Sequence, residues 1–199
     1  MVTDIIMILL FFVWLYVVWT CSRAGLKFYK FIIGCVGLFL FMMYWLRPVV
    51  LVPMEQVVAL VSGSFGNLTG TFESYYEYAM LFVRHAEESI SVYVSFECSG
   101  IIESFAFVSM LIFFEVYDAY ERIILSLLGV LIIFFSNVLR IVVICLLINW
   151  FGNDIYYIAH SLIGRFLFYG LSIALYFYVF TKPQIIRQSI GGFSYRKQK

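Results

Sequence analysis

Long apolar runs joined by short polar segments make up most of this chain. Five runs stand out: Ile5–Val18, Phe31–Leu46, Gly100–Val116, Ile123–Trp150 and Ile155–Phe180. A helix of roughly 20 apolar residues crosses a bilayer. The first run is short, but Trp19 and Thr20 extend it to the interface, giving a span over 5–20. The fourth is long enough to tilt or to project beyond the membrane. The joints are brief and polar, Asp118-Ala119-Tyr120-Glu121-Arg122 and Gly152-Asn153-Asp154. The pattern predicts an all-α fold, a polytopic transmembrane helix bundle with spans over about 5–20, 31–46, 100–116, 123–150 and 155–180. No repeat and no separate soluble domain interrupts it, so residues 1–199 read as one membrane domain.

The middle of the chain breaks the pattern. Val49–Gly70 is apolar but carries Pro53, Glu55 and several glycines, and Pro48 precedes it, which predicts a re-entrant or interfacial segment. Thr71–Glu97 is acidic and Tyr-rich, with Glu73, Glu77, Glu87, Glu88 and Glu97 against Arg84 and His85. Together, residues 47–99 are expected to form an external cap, helical in this second part and lying on the membrane. His85 with Glu87 and Glu88 has poor spacing for a metal, and a solvated acidic face is the simpler reading.

Composition strengthens the membrane assignment. Hydrophobic residues make up 64% and charged residues 13% of the 199 positions, whereas a soluble domain carries roughly 25% charged residues. The 22 Phe suit acyl chains and the 15 Tyr suit the interface. A net charge of +1 gives no basis for nucleic-acid binding. Cys21, Cys35, Cys98 and Cys145 form neither a CxxC pair nor a metal-ligand pattern, and neither metal nor cofactor is expected.

Charge also orients the chain. The start Met1-Val2-Thr3-Asp4 has no basic residue and no small-x-small cleavage site follows, so the first run reads as a retained helix rather than a signal peptide. With the N-terminus outside, five spans place Arg23, Lys27, Lys30, Arg122 and a basic tail (182–199, with Lys182, Arg187, Arg196, Lys197 and Lys199) in the cytoplasm. Arg47, Arg84 and most of the acids fall outside, which agrees with the positive-inside rule.

Ionisable groups inside spans are costly and mark functional candidates, here Glu103, Glu115, Arg140, His160 and Arg165. Taking ~1.5 Å of rise per residue, Arg140 lies about 15 Å and His160 about 9 Å below the outer ends of their runs. Cys98 sits at the mouth of the third. All three fall toward the outer leaflet. A thiol beside an imidazole can give up its proton and attack a carbonyl, and the imidazole can protonate the leaving amine. A guanidinium stabilises the developing oxyanion where water is scarce. Gly100 permits close backbone approach after Cys98-Ser99, and the start of the third helix suits negative charge. Asn137 is one turn before Arg140 and shares its face. Glu103 is expected to partner Arg140 or Arg165, with Asp154 as a second option for Arg165. Gly164, one turn after His160, suits a close helix contact. A lone membrane cysteine is usually an apolar filler, the reading given to Cys21, Cys35 and Cys145. Taken alone, Arg140 also reads as one half of a structural Arg–Glu pair.

Glu97-Cys98-Ser99-Gly100-Ile101, then Asn137-Val138-Leu139-Arg140-Ile141, then His160 in a later apolar helix, resemble the exosortase/archaeosortase family. The resemblance covers about residues 90–180 and rests on the ordered trio. The short length looks most like the small G-type exosortases of Gram-positive bacteria, and it leaves Val49–Glu97 without a counterpart. It implies a membrane cysteine transpeptidase or protease of the bacterial cell membrane, with its active site on the outer side. The implied substrate is a membrane-anchored protein with a C-terminal sorting signal, namely a short motif, a transmembrane helix and a basic end. Cys98 would be the nucleophile, Arg140 the transition-state stabiliser or substrate-orienting group and His160 the acid/base, with Glu97, Ser99, Gly100, Glu103 and Asn137 in support. An amine, a lipid or water would resolve the thioester. Two other classes fit the residues: a non-catalytic scaffold or accessory subunit of a cell-envelope or polysaccharide export system, and a membrane hydrolase acting on lipid-linked substrates.

Overall fold

A computed structural model describes residues 2–85 and 88–185. Glu87, and the tail residues Arg187, Arg196, Lys197 and Lys199, lie outside the described residues. Six helices and a small sheet follow one another: α1 (Val2–Arg23), α2 (Lys27–Trp45), α3 (Arg47–Thr69), β1 (Phe72–Tyr75), β2 (Met80–His85), β3 (Glu88–Tyr93), α4 (Ile101–Phe113), α5 (Ala119–Phe151) and α6 (Asn153–Ile185). The fold is a polytopic helical membrane bundle, and five of its helices are long and apolar enough to cross a bilayer: α1, α2, α3, α5 and α6. α4 is a shorter apolar helix of 13 residues.

Side-chain contacts fix the directions of the bundle helices. Trp14 Nε1 donates to the Ile33 carbonyl at 2.8 Å and the Tyr44 hydroxyl meets Asp4 at 2.9 Å, so α1 and α2 are antiparallel. Ser109 lies against Met42 while Lys30 pairs with Glu115 at 2.7 Å, so α2 and α4 are antiparallel too. Phe107 packs into the gap left by Gly129 of α5, and Gly100 borders Asn137, which reverses the chain again. Ile144 packs over Gly164 of α6, the close contact that glycine was expected to allow, and the Tyr117 hydroxyl donates to the Val179 carbonyl at the far end. Small residues let such helices approach where lipid removes the hydrophobic drive for association. One end of the bundle gathers Arg23, Lys27, Lys30, Arg122 and Lys182. The other carries Asp4, Arg47 and everything from α3 to Cys98.

The middle segment departs from its expected form. Val49–Thr69 lies within one continuous helix capped by Gly70, rather than a re-entrant piece. Its buried residues Glu55, Val58, Ala59, Ser62, Gly63 and Gly66 recur at helical spacing. Packing along that stripe outweighs the loss of one backbone donor at Pro53. Thr71–Glu97 is not a helical cap either: β1, β2 and β3 form an antiparallel sheet in that order. The cause is period-2 alternation, with Leu81, Val83, Val92 and Val94 buried and Arg84, Ser89, Ser91 and Tyr93 exposed.

The sheet packs on α3 and on the second half of α5. Ser74 Oγ donates to the Ala59 carbonyl at 2.9 Å, and Gly63 and Gly66 leave room for Ser74 and Phe72. Asn149, near the end of α5, donates to the carbonyls of Arg84 at 2.8 Å and Thr71 at 3.2 Å. Val138, Ile141, Ile144, Cys145 and Ile148 of α5 join Val58, Leu81, Val83, Val92 and Val94 in one core. Each of these side chains contributes ~1.5–3 kcal/mol if water is what it leaves. A second core, built on Phe107, Leu111, Ile133 and Phe168, holds the bundle. α5 thus serves both layers, and the turn carrying Cys98 lies where they meet.

Candidate active site

Three segments converge on Cys98. It ends a 3-10 turn, Phe96–Cys98, that descends from β3, and Gly100 then opens α4 with a left-handed φ of 76°. That conformation is one a side chain rarely adopts, so Gly100 is what lets the chain turn from the sheet into α4 directly behind the thiol. Ser99 braces the turn by donating to the Phe96 carbonyl at 2.8 Å, and the Ser104 hydroxyl donates to the Gly100 carbonyl at 2.8 Å.

α5 supplies two residues on one face. Asn137 is fully buried and donates its amide hydrogen to the carbonyl of Cys98 itself. One turn on, Arg140 is 5% exposed and its Nη2 lies 3.5 Å from the Cys98 sulfur. Its guanidinium also sits 5.8 Å from the Phe168 ring of α6, an attraction between cation and π face. Arg140 Nε and Asn137 Oδ1 have no hydrogen-bond partner among the described residues.

α6 supplies the imidazole. His160 Nε2 is 3.9 Å from Cys98 Sγ. His160 falls within a π-helical turn, Ala159–Ile163; such turns often occur at functional positions. The Tyr156 ring stacks on the imidazole at 5.9 Å with the planes 4° apart. His160 Nδ1 is buried and unpartnered among the described residues. The sulfur has a donor on one side and an imidazole on the other, and Cys98 is only 1% exposed.

The remaining expected residues divide. Glu97 is exposed and forms a 3.9 Å ion pair with Arg165, so Arg165 turns to Glu97 rather than to Glu103 or Asp154. Glu103 is half-buried on α4 and makes no ion pair within 4.0 Å among the described residues, although it lies near enough to Arg140 for their charges to interact. Cys35 and Cys145 are buried, and Cys145 belongs to the core that also takes in Cys98.

Tyr156 and Phe168 escape a reading by residue chemistry. Tyr156 lies four positions before His160 and Phe168 eight after it, a spacing that does place aromatics near one helix face. Beyond its place among the external charges, Arg47 sets its guanidinium 4.0 Å from the Phe96 ring, two residues before the thiol.

The chain matches the family model described as Transmembrane exosortase (Exosortase_EpsH) over residues 2–178, well beyond the segment carrying the three motifs. Comparison with curated proteins and with solved structures returns no match. With Cys98, Arg140 and His160 meeting where cap and bundle join, and with the family match running through nearly the whole chain, the protein belongs to the transmembrane exosortase family.

Proposed function

We propose that this protein is a membrane cysteine transpeptidase or protease that cleaves the C-terminal sorting signals of exported, membrane-anchored proteins. The observation that carries this reading is the Cys98 sulfur held between His160 Nε2 at 3.9 Å and Arg140 Nη2 at 3.5 Å. In the reaction, the Cys98 proton passes to His160 Nε2 and the sulfur attacks the scissile carbonyl carbon. Arg140 faces the negative charge that develops beside it, at a buried position where solvent screens that charge little. The C–N bond breaks, the imidazolium protonates the departing amine, and a thioester remains on Cys98. An amine, a lipid or water then attacks the thioester and returns the thiol. Asn137 positions the nucleophile by holding its carbonyl.

The membrane arrangement fits this chemistry. α1, α2, α4, the first half of α5 and α6 make five crossings. α3, the sheet and the second half of α5 rise from the outer side as the cap. The basic end, with Arg23, Lys27, Lys30, Arg122 and Lys182, is cytoplasmic. The site then lies at the outer boundary of a multi-pass protein of the bacterial cell membrane. The test is replacement of Cys98 in producing cells. With Cys98→Ala or Cys98→Ser, a membrane-anchored precursor with a short motif, a helix and a basic end accumulates uncleaved, while the enzyme inserts normally. Full processing by Cys98→Ala would remove the nucleophile and leave a scaffold role.

A further inference from the structure

The sheet has an open edge beside the site. β3 pairs with β2 on one side, through Met80↔Tyr93, Leu81↔Val92, Phe82↔Ser91 and Val83↔Ile90, and among the described residues with no strand on the other. The Val94 N–H binds the Ala79 carbonyl at 2.9 Å. Antiparallel pairs alternate between bonded and non-bonded, so Val92 and Ile90 bond to β2. The backbone N–H and C=O groups of Ser89, Ser91 and Tyr93 therefore point to the free side. Exposed edges of this kind are templates for another extended chain, and native proteins usually block them. Here β3 carries no proline or lysine, and its one charged residue, Glu88, stands at its start, away from the thiol.

What lies beyond that edge is a shallow groove, lined by Ser89, Ile90, Ser91, Asn153 and Tyr156. Tyr156 is the residue stacked on His160. β3 itself runs through Val94 and Ser95 into the turn that ends at Cys98. The open edge, the groove wall and the thiol are thus contiguous. β1, the other edge strand, lies on α3 and leads away from the thiol toward Gly70.

We propose that β3 binds the substrate's extended sorting motif as a fourth strand, pairing through the backbone of Ser89, Ser91 and Tyr93. This rests on the function proposed above and names how its substrate is held. The direction follows from the membrane. The substrate's helix lies in the bilayer, C-terminal to its motif, and β3 runs toward Cys98. The motif therefore lies parallel to β3, with its scissile bond leaving the strand's end at the thiol. Recognition by backbone pairing supplies affinity, and side chains at alternate motif positions supply selectivity. Tyr156 would then contact both the bound strand and the imidazole.

The experiment uses the full-length enzyme in membranes of producing cells and the precursor that accumulates with Cys98→Ala. Ser91→Pro removes one outward backbone donor without touching a β2 ladder bond. Processing is expected to fall at least about tenfold with Ser91→Pro, as expected for loss of a hydrogen bond that substrate binding would bury. Amide exchange at Leu81 and Val83 reports whether the sheet survives. A second arm needs no variant. A synthetic peptide copied from the precursor segment just before its helix should inhibit wild-type processing. The same peptide N-methylated at alternate residues should inhibit at least about tenfold less, having lost its strand-pairing donors. Equal inhibition by both peptides, or wild-type processing by Ser91→Pro, overturns the proposal and leaves the catalytic reading intact. No precursor accumulating with Cys98→Ala overturns that reading, and this one with it.

Discussion

Asn137 donates its side-chain amide to the main-chain carbonyl of Cys98, so the helix that presents Arg140 also holds the turn that presents the thiol. Nucleophile and guanidinium come from segments far apart in the chain, yet their relative position depends on one buried bond. Asn137→Ala would leave the Cys98 carbonyl buried and unsatisfied, at a cost of about 1–3 kcal/mol. The turn relieves this by moving outward. Processing is expected to fall at least about tenfold, by the same energy, while N-ethylmaleimide labels the normally buried Cys98 faster than in the wild type. Slower labelling, or unchanged processing, would show that the turn does not depend on Asn137.

Arg140 is expected to be irreplaceable by lysine. Its planar guanidinium reaches the sulfur at 3.5 Å while lying near the Phe168 ring, and an ammonium on a flexible stem cannot do both. Arg140→Lys should lose ~10²–10³ in turnover, as for removal of one oxyanion donor, with the precursor still bound. Turnover within a few-fold of wild type would mean that charge alone suffices.

Orientation has a direct readout. In a Cys21→Ser background, a cysteine at the exposed cap position Tyr78 should react with a membrane-impermeant maleimide in intact cells. A cysteine at Ala24, between α1 and α2, should react only after lysis. The reverse pattern would place the site in the cytoplasm.

Cap and bundle should respond separately to crowding. A Cβ at Gly66 would meet the backbone carbonyl and the ring of Phe72, and backbone cannot step aside. Gly66→Ala is expected to cost about 1–3 kcal/mol as overpacking. It should lower the melting temperature of the detergent-solubilised protein and expose amides of β1 and β2 to exchange. Protection along α1 and α2 should be unchanged.

The bundle was legible because lipid demands long apolar runs, and those runs stand plainly in the sequence. The cap was not, because its signals conflict. Pro53 and Glu55 suggest interruption, while the stripe from Glu55 to Gly66 at helical spacing identifies a continuous helix. In Ser89-Ile90-Ser91-Val92-Tyr93-Val94 the two-residue alternation of a strand is present, but the surrounding acids and tyrosines suggest an interfacial helix. For the site, helical rise placed Arg140 and His160 at similar depths, which is as far as one-dimensional spacing reaches. It gives no rotation between helices, so the ion pair of Arg165 with Glu97, the stacking of Tyr156 and the place of Phe168 emerge only from packing. Glu103 shows the converse: its charge makes it an attractive partner for Arg140, and the two interact through their charges without an ion pair within 4.0 Å among the described residues.

The 13-residue length of α4 has a consequence for the lipid around it. At ~1.5 Å per residue such a helix rises ~20 Å, against the ~30 Å of a typical hydrocarbon core. If α4 crosses, the bilayer beside it must thin or water must enter from one face. Cys98 stands at the outer end of this helix, so the depression forms at the thiol. A substrate helix of ordinary length arriving there would be too long for its surroundings. Its outermost turn would be lifted clear of the acyl chains, and the adjoining peptide bond would be presented in extended form without prior unwinding in lipid. Hydrophobic mismatch would then do part of the work of substrate preparation, and turnover should vary with acyl-chain length in reconstituted membranes.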